Sequence, residues 1–380
     1  MRILILCTGN SCRSQMAHGF LQSISSKIEV HSAGTKPAAQ VNPLAVEVMM
    51  EAGIDISSHT PKHVSNYLHQ EWDYVITVCG GANESCPAFT GKVKHRLHLG
   101  FEDPSEATGT PEFIKGEFRR IRNQIKTGFQ KFYYTNIEKL TVLYFGSFNP
   151  FHIGHASVAR FVAQLPWVEN VCFVLSPKNP IKESNTLQDA NLRWADLQRV
   201  VKKLNAEWED AELNAEQQVP ETQEISDLNP VGVTPKAEGS SPASATNCDE
   251  KTAGTTTSGK EISRATTHRE EKFSASDVEF HLEPPLYTYN TLEKLSNDFP
   301  DRHFALLMGG DNINILHKWY RGEELMQKYP ILVYPREGVD TEAICNERGA
   351  IFINAPQVNV SSTQIRTMEA AGKDASHLRY

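Results

Sequence analysis

The chain has 380 residues, of which 39% are hydrophobic and 22% are charged, a composition typical of a globular protein with two or three domains. Its formal net charge is −8, and residues 206–271 alone hold 14 acidic and 5 basic residues. The rest of the chain is therefore close to neutral, which excludes the strongly basic surface of a nucleic-acid-binding protein.

The sequence also argues against a membrane protein and against a disulfide-stabilised one. No apolar run approaches the roughly 18 residues that a membrane span requires, and polar residues follow the apolar start immediately at Thr8. The cysteine count is seven, an odd number that favours reduced thiols over a disulfide framework. We therefore expect a cytoplasmic protein without a membrane or nucleic-acid partner, in which any disulfide is transient and catalytic.

Taken in chain order, the predicted elements form two α/β domains. The first, residues 1–135, alternates apolar strand-like runs with amphipathic stretches, which indicates a parallel sheet covered by helices. Its strands are predicted at Arg2–Leu6 and Asp73–Thr77, and its helices at Arg13–Ile24, Asn42–Ala52 and Thr110–Phe132. A second strand–turn–helix start at Leu140–Phe145 opens a second parallel-sheet domain, residues 140–380.

The acidic segment 206–271 interrupts the second domain. It has no Phe or Tyr and is rich in Glu, Thr, Ser, Ala, Pro and Gly, so it cannot bury enough apolar area to offset the cost of ordering the chain. Trp208–Leu213 is compatible with an extension of the preceding helix, and regular sequence resumes at Phe273–Leu282. We predict a disordered insertion that is a solvated loop, with a partner-binding segment as the less favoured alternative.

The first chemical motif is the segment CTGNSCRS, which runs from Cys7 to Ser14 between a strand and a helix. Cys7 and Arg13 are six positions apart with small polar residues between them, a pattern that can wrap backbone N–H groups around a tetrahedral oxyanion. Arg13 would bind two anion oxygens, and the same field would lower the pKa of Cys7 and favour its thiolate. The residues expected to form this oxyanion site are Thr8, Gly9, Asn10, Ser11, Cys12 and Ser14. A buried cysteine in an ordinary turn is the alternative, and Cys12 is interpreted as a small packed residue within the loop.

The motif CTGNSCRSQMAHG, together with the later segments CGGANESC and FEDPS, resembles the low-molecular-weight phosphotyrosine phosphatase fold over about residues 1–133. This fold is shared by phosphatases and by thioredoxin-coupled arsenate reductases. Cys79 and Cys86 favour the reductase, as does Ser105 after Pro104, where the phosphatases usually carry an aromatic residue.

The resemblance implies a thiol relay. Cys7 would attack arsenate while Asp103 protonates the leaving oxygen, Cys79 would attack the adduct, and Cys86 would attack Cys79. Thioredoxin would reduce the final pair. In a straight helix the Cα atoms of residues 79 and 86 would lie roughly 10 Å apart, which is beyond the about 7 Å that a disulfide tolerates. We therefore expect this segment to bend at Gly80 and Gly81.

One residue departs from the family pattern. His18 stands where these reductases commonly carry a Glu in a cation site near the loop. The oxyanion loop is still expected with this change, whereas the residues no longer indicate an auxiliary potassium site.

The second chemical motif is GSFNPFHIGH, which runs from Gly146 to His155 after a predicted strand. The spacing of His152 and His155 places both imidazoles near a helix N-terminus, and Gly154 allows a phosphate to approach the backbone closely. Later in the chain VSSTQIR, residues 360–366, offers hydroxyl groups and a guanidinium to a triphosphate. The pair of motifs resembles the HIGH-type nucleotidyltransferases. The resemblance implies that ATP is bound by Gly146, Ser147, Phe148, His155, Ser362, Thr363, Ile365 and Arg366.

Segments in the middle of the second domain indicate which nucleotidyltransferases the chain resembles most. The segments PKNPIK, YTYNTLEKL and GGDN with Trp319 are similar to nicotinate-nucleotide adenylyltransferases over residues 140–205 and 272–380, which implies a Rossmann-like domain. Trp319 would lie near the pyridine ring, although a packed helix residue is nearly as favoured. The residues expected to bind the nucleotide substrate are Asn179, Lys182, Thr288, Asp311 and Trp319.

The chain is thus predicted to be a bifunctional enzyme. The second domain would join ATP and nicotinate mononucleotide without a protein nucleophile, with His152 and His155 on the phosphates and Arg193 as a weaker phosphate-side candidate. Mg²⁺ would bridge the ATP oxygens, and no side chain is assigned to a metal. The alternatives are a tyrosine phosphatase or a non-catalytic redox or oxyanion sensor in the first domain, and a different adenylyltransferase substrate such as phosphopantetheine in the second.

Overall fold

A computed structural model of the chain describes residues 1–80, 88–177, 188–217 and 271–380. The predicted site residues Cys86, Asn179 and Lys182 lie outside these ranges. The chain divides into two compact units, of which one comprises Met1–Glu207 with Glu271–Tyr380 and the other Trp208–Glu270. The two sheets and both candidate sites belong to the first unit.

The first sheet is parallel, and within the described residues its strand order is β2-β1-β3-β4. The strands are β1 Arg2–Cys7, β2 Glu29–Gly34, β3 Trp72–Thr77 and β4 Val93–His98. The helices packed with them are Arg13–Ile24, Pro43–Glu51 and Pro111–Asn136. Because β1 is central, its Ile3, Leu4 and Ile5 are fully buried, as expected for a strand covered on both faces.

Helix starts follow the local sequence. The helix Pro43–Glu51 begins after Asn42, whose side chain accepts a hydrogen bond from Leu44 N–H. The long helix Pro111–Asn136 begins after Thr110, which caps the N–H of Phe113. Both helices have proline as their first residue, where the missing N–H costs nothing.

The second sheet is also parallel, and its described strands have the order β10-β9-β8-β5-β6-β7. The strands are β5 Leu140–Gly146, β6 Val168–Leu175, β7 Phe273–Ser276, β8 His303–Gly309, β9 Ile331–Tyr334 and β10 Ile351–Phe352. The helices are Ile153–Ala163, Ala190–Gln217, Thr288–Asp298, Gly310–Ile313, Gly322–Lys328, Thr341–Arg348 and Ser362–Ala370. The strand order reverses between β5 and β8, which is where ligands bind in open parallel sheets.

The predicted α/β class with two parallel-sheet domains is confirmed. The start of the predicted insertion needs a correction, because the helix Ala190–Gln217 continues through residues 206–217. Residues 206–217 contain several Ala and Glu residues and a Leu, which favour a helix although the stretch has no Phe or Tyr. The remainder of that insertion, residues 218–270, lies outside the described ranges. Across the described parts of the chain, no helix is both long and apolar enough to cross a membrane.

Two candidate active sites

The loop Cys7–Ser14 closes around the sulfur of Cys7. The N–H of Asn10 donates to Cys7 Sγ over 3.0 Å, and Ser14 Oγ lies 2.9 Å from the same sulfur. Asn10 has a left-handed backbone with φ of 47°, and its side-chain amide donates to Ser14 Oγ over 2.9 Å. The fold therefore brings the predicted nucleophile together with one backbone donor and with a hydroxyl group that can donate to a thiolate.

Two residues that sequence analysis did not single out support this loop. A Cβ added to Gly34 at the end of β2 would lie 2.5 Å from the carbonyl oxygen of Thr8, so only glycine fits there. The N–H of Lys62 donates to Asn10 Oδ1 over 2.8 Å and fixes that side chain. The pairing of β2 with β1 brings Gly34 beside the loop, and this pairing is not visible in the sequence.

The predicted lowering of the Cys7 pKa is wrong as a net effect. Burial raises the pKa of Cys7, hydrogen bonds from Ser14 and from Asn10 N–H oppose this shift, and the charge of Cys79 adds to it. Cys7 is only 3% exposed, so its thiol loses most of its hydration. The donors expected to stabilise a thiolate are nevertheless in place.

Cys79 lies next to the oxyanion loop. Its Sγ is 3.5 Å from Thr8 Oγ1, and it is buried to the same extent as Cys7. Cys12, in contrast, contacts Ser11 Oγ over 3.8 Å, and burial raises its pKa to about 11, in line with a packed residue. The structure thus brings Cys79 towards Cys7, while the third relay cysteine, Cys86, lies beyond the described residues.

Arg13 and Asp103 are brought together over the loop. Arg13 Nη2 forms an ion pair with Asp103 Oδ2, and its Nη1 donates to the carbonyl of Phe101 over 2.9 Å. The other oxygen of Asp103 accepts from Ser105 N–H over 3.1 Å and from Ser105 Oγ over 2.7 Å. The Asp103 carboxylate is therefore held beside Arg13, the side chain that is predicted to bind the anion. Thr8, Gly9 and Ser11 complete the loop as half-buried residues.

His18 lies among groups that do not favour a cation. Its Nδ1 is 3.3 Å from Ser32 Oγ, and its ring centroid is 4.6 Å from that of His59. Burial lowers the pKa of His18 to about 3, and the charges of His59, His31 and Lys62 act in the same direction. The imidazole is therefore neutral near pH 7.

In the second site the two motif histidines stack on each other. The ring centroids of His152 and His155 are 3.7 Å apart, and His152 N–H donates to His155 Nδ1 over 3.3 Å. Burial, followed by the charge of Arg336, lowers the pKa of His152 to about 4. Burial also lowers the pKa of His155, helped by His152 and Arg336. Two neutral imidazoles at a helix N-terminus can donate hydrogen bonds to phosphate without a full charge.

The turn before these histidines is shaped by Phe148. Its backbone is left-handed with φ of 41°, and its buried ring lies 5.2 Å from the ring of His155, centroid to centroid. A Cβ added to Gly146 would meet the Phe148 ring at 2.7 Å. The buried ring of Phe148 therefore packs against the turn. Ser147, which belongs to the turn, is half-buried.

The two nucleotidyltransferase motifs contact each other. Ser362 Oγ donates to the carbonyl of Pro150 over 3.0 Å. Arg366 Nη1 donates to the carbonyl of Asn149 over 2.6 Å, and its Nη2 donates to Thr363 Oγ1 over 3.2 Å. Ile365 is fully buried, so its side chain belongs to the core and only its backbone remains for a nucleotide.

The predicted role of Arg193 on the phosphate side of the site needs a correction. Its guanidinium is 2% exposed and donates to four backbone carbonyls, those of Ser147, Ser176, Pro177 and Gln188, over 2.7 to 3.0 Å. These carbonyls satisfy a buried charge that would otherwise be costly. Arg193 therefore links the loops after β5 and β6 and uses four of its five N–H groups for backbone carbonyls.

Arg336 is a site residue that sequence analysis missed. It follows β9, its charge acts on both motif histidines, and its Nε is 3.5 Å from Asp311 Oδ1. A Cβ added to Gly309 would lie 2.7 Å from Arg336 Nε, so the glycine leaves room for this side chain. The signal was a basic residue just after an apolar run, ILVYPR, at the edge where the other motifs end.

Comparisons with known proteins match the two parts of the chain to two different families. The family model described as low molecular weight phosphotyrosine protein phosphatase matches residues 2–141, and the model described as cytidylyltransferase-like matches residues 143–368. An arsenate reductase from Halalkalibacterium halodurans is 48% identical over 124 residues, which is 32% of this chain and 88% of that protein. A probable nicotinate-nucleotide adenylyltransferase from Flavobacterium psychrophilum is 31% identical over 226 residues, 59% of this chain and 83% of that protein.

The chain belongs to two families. Its first part is a member of the arsenate reductases within the low-molecular-weight phosphatase fold, and its second part is a member of the cytidylyltransferase-like family. An arsenate reductase from Shouchella clausii, 47% identical over 131 residues, covers 34% of this chain and 93% of its own length. The reductase domain thus carries Cys7 and Cys79, and the nucleotidyltransferase domain carries His152 and His155.

In the nucleotidyltransferase domain, the predicted residues of the nucleotide-substrate site are spread along the sheet edge. Asp311 follows β8 and pairs with Arg336, while Thr288 is the first residue of the helix Thr288–Asp298. Trp319 is half-buried and packs against the hydrophobic core, which agrees with the alternative interpretation of a packed residue. The role of Trp319 in substrate binding stays a prediction.

Proposed function

We propose that the reductase domain converts arsenate to arsenite by a cysteine relay and that the nucleotidyltransferase domain adenylates nicotinate mononucleotide. The observation that supports the first activity best is Cys79, buried 3.5 Å from Thr8 Oγ1 of the oxyanion loop. Hydrolysis of a phosphate ester requires a single nucleophilic thiol, whereas a disulfide relay requires a second one, so Cys79 favours the reductase. The second activity rests on the junction of the HIGH-type turn with Ser362 and Arg366.

In the proposed reduction, Cys7 passes its proton to the bound arsenate dianion and its thiolate attacks the arsenic. Asp103, which takes up a proton when the anion replaces it on Arg13, gives that proton to the oxygen that leaves as water. Cys79 then attacks Cys7 Sγ. A disulfide forms between the two cysteines, and arsenic takes the electron pair of the breaking sulfur–arsenic bond and leaves as arsenite. Cys86 attacks Cys79 and returns Cys7 as a thiolate, received by Asn10 N–H and Ser14 Oγ.

Thioredoxin is the proposed donor of the two electrons that reduce the Cys79–Cys86 disulfide, which fits a protein of the reducing cytoplasm. The test is arsenite production from arsenate with thioredoxin, thioredoxin reductase and NADPH. We expect steady turnover in the unmodified protein and at most one turnover per chain in Cys86→Ser. Hydrolysis of an aryl phosphate at the same rate in Cys79→Ser, with no arsenite formed, would instead assign this domain to the phosphatases.

In the proposed adenylation, the phosphate of the mononucleotide attacks the α-phosphorus of ATP in line, and pyrophosphate leaves. No protein nucleophile is required, so the site acts by positioning two anions and by stabilising the charge of the transition state. His152 and His155 would donate to phosphate oxygens from the helix N-terminus. Arg336 would supply the full positive charge that the neutral imidazoles lack.

Mg²⁺ would screen the ATP phosphates, and its binding would be carried by the nucleotide itself. Among the described residues, no group of three or more His, Cys, Asp and Glu side chains could hold a metal ion, and Asp311 is engaged with Arg336. Pyrophosphate release from ATP with nicotinate mononucleotide, compared with nicotinamide mononucleotide and with phosphopantetheine, tests the proposal. Turnover only with phosphopantetheine would contradict it.

A further inference from the structure

A cavity of about 470 Å³ lies between the long helix Pro111–Asn136 of the reductase domain and residues 289–330 of the nucleotidyltransferase domain. None of the residues assigned above to either active site lines it. The wall from the reductase domain includes Lys126 and Tyr134, and the wall from the other domain includes Arg302 and Lys328. The cavity is therefore shared by two domains and distinct from both sites.

Lys126 is the cation that the reductase domain contributes to the described wall of this cavity. Its Nζ donates to the carbonyl of Met326, across the domain junction, over 2.7 Å. Within the described part of the chain, no carboxylate pairs with it. Burial lowers the pKa of Lys126 to about 8, and the charge of Arg122 contributes to the shift. Lys126 is half-buried. An ammonium that is partly removed from water and has only a carbonyl partner is costly, and an anion in the cavity would offset this cost.

The other charged groups of the wall leave the cavity positive. Arg302 forms no ion pair with any residue that the structure describes. Lys328 is 3.6 Å from Glu293 and is partly neutralised. The carboxylate in the wall, Glu324, is already bound by Arg321, whose Nε donates to it over 2.9 Å. Lys126 and Arg302 are thus two cations that lack a counter-ion within the described residues.

Five residues of the wall are tyrosines or phenylalanines, and the rest of the uncharged wall includes small, aliphatic and amide residues such as Ala52, Ile54 and Gln130. Tyr134, Tyr289 and Tyr329 line the cavity together with two phenylalanines. Tyr329 reaches Ser296 Oγ with its hydroxyl, 3.1 Å away, so its ring is held in place. Rings next to cations suit a ligand that has both a flat aromatic part and a phosphate. The volume is also in the range of small-molecule sites, roughly 300–1,000 Å³.

We propose that this cavity binds a nucleotide, with its phosphate between Lys126 and Arg302 and its base against the tyrosine rings. The proposal does not depend on the activities proposed above. A ligand in this position touches both domains at once, so its binding stabilises their junction and raises the thermal unfolding temperature of the chain.

The test is calorimetric titration of AMP into the full chain. Lys126→Met and Arg302→Met should each weaken AMP binding at least tenfold, and Arg302 is exposed, so its variant is not expected to disturb the fold. Lys131→Met is the matched control, because Lys131 is an exposed residue of the same helix outside the cavity, and it should bind AMP like the unmodified chain. Arg336→Met should retain this binding, since Arg336 belongs to the other site.

Three kinds of result would overturn the proposal. The first is no binding of AMP to the unmodified chain. The second is unchanged binding in Lys126→Met and Arg302→Met, or loss of binding in Arg336→Met alone, which would place AMP in the adenylation site. The third is inorganic phosphate binding as tightly as AMP, which would exclude recognition of a base. A rise in unfolding temperature with AMP that disappears in Arg302→Met would support it.

Discussion

The two candidate active sites are built on the same kind of turn but use it for different chemistry. Both turns follow a central strand of a parallel sheet, β1 or β5, and both lead into a helix whose N-terminus faces the site. The first turn holds a sulfur at its centre, with Arg13 and Asp103 beside it. The second holds two neutral imidazoles, and its full charge comes from a different strand through Arg336.

This difference shows what each site requires. A covalent mechanism needs a nucleophile and an acid fixed to one another, so the residues of the first site are concentrated in the loop and its direct contacts. A mechanism of positioning needs donors spread around two phosphates, so the second site draws residues from several strand ends. The predictions below test this comparison from the largest expected effect to the smallest.

Cys7→Ser should abolish arsenate reduction, because the serine hydroxyl is a far weaker nucleophile and cannot enter the disulfide relay. Adenylation should change by less than about twofold, since the two sites share no residue. Arsenite and pyrophosphate are measured on the same preparation. Loss of both activities would show that the two sites are coupled, against the comparison drawn above.

Arg336→Met should lower kcat for adenylation by about 10²-fold, the usual effect of removing one group that stabilises transition-state charge. Arsenate reduction should be unaffected. Lys373→Met, at an exposed residue near the C-terminus, is the control for a lost positive charge. An increase in KM alone would mean that Arg336 only binds substrate, and an unchanged rate would remove it from the site.

Gly34→Ala tests the support of the oxyanion loop. The added methyl group would lie 2.5 Å from the carbonyl oxygen of Thr8, so the loop must shift, at a cost of about 1–3 kcal/mol. Arsenate reduction should fall while adenylation persists. Gly116→Ala is the matched control, because a Cβ at this helical glycine meets no atom within 4 Å. Equal activity in the two variants would show that the loop tolerates displacement.

Much of this architecture is predictable from sequence, because strands, turns and helix starts are local patterns. The loop Cys7–Ser14 and the turn Gly146–His155 were placed correctly between strand and helix. Gly34 and Arg336 were missed, since each lies at or just after the end of a different strand and becomes important only when the sheet brings that strand end to the site. The direction of the Cys7 pKa shift was predicted wrongly for a related reason. Burial depends on the packing of the whole domain, and its effect on the pKa outweighs that of the local hydrogen-bond donors.

Lys126→Met should stabilise the protein at neutral pH. Its pKa is lowered from 10.5 to about 8 in the folded chain, so folding disfavours the ammonium form. This shift corresponds to about 3 kcal/mol, and loss of the hydrogen bond to Met326 offsets about 1 kcal/mol of the gain. The cost of the charge is complete below about pH 8, and it disappears as the pH rises towards 10.5, so the advantage of the variant should vanish there. Urea denaturation at pH 7 and pH 10 measures the stabilisation and its loss at high pH. A variant less stable than the unmodified chain at pH 7 would contradict the inference that folding disfavours the ammonium form of Lys126.

The smallest expected effect concerns potassium. The surroundings of His18 contain the neutral His59 and the cation Lys62, whose charge lowers the pKa of both imidazoles. Because the pKa of His18 is about 3, the ring is neutral at any pH where the enzyme is assayed, and it provides no negative charge for a cation. Replacing potassium by choline at constant ionic strength should therefore change kcat and KM for arsenate by less than about twofold.

His18→Glu is the informative variant, since it restores the carboxylate of the family pattern. If potassium activates the unmodified chain as strongly as it activates His18→Glu, other groups around the loop must bind the cation, and the loop would depend on an ion as well as on Asn10, Ser14 and Gly34.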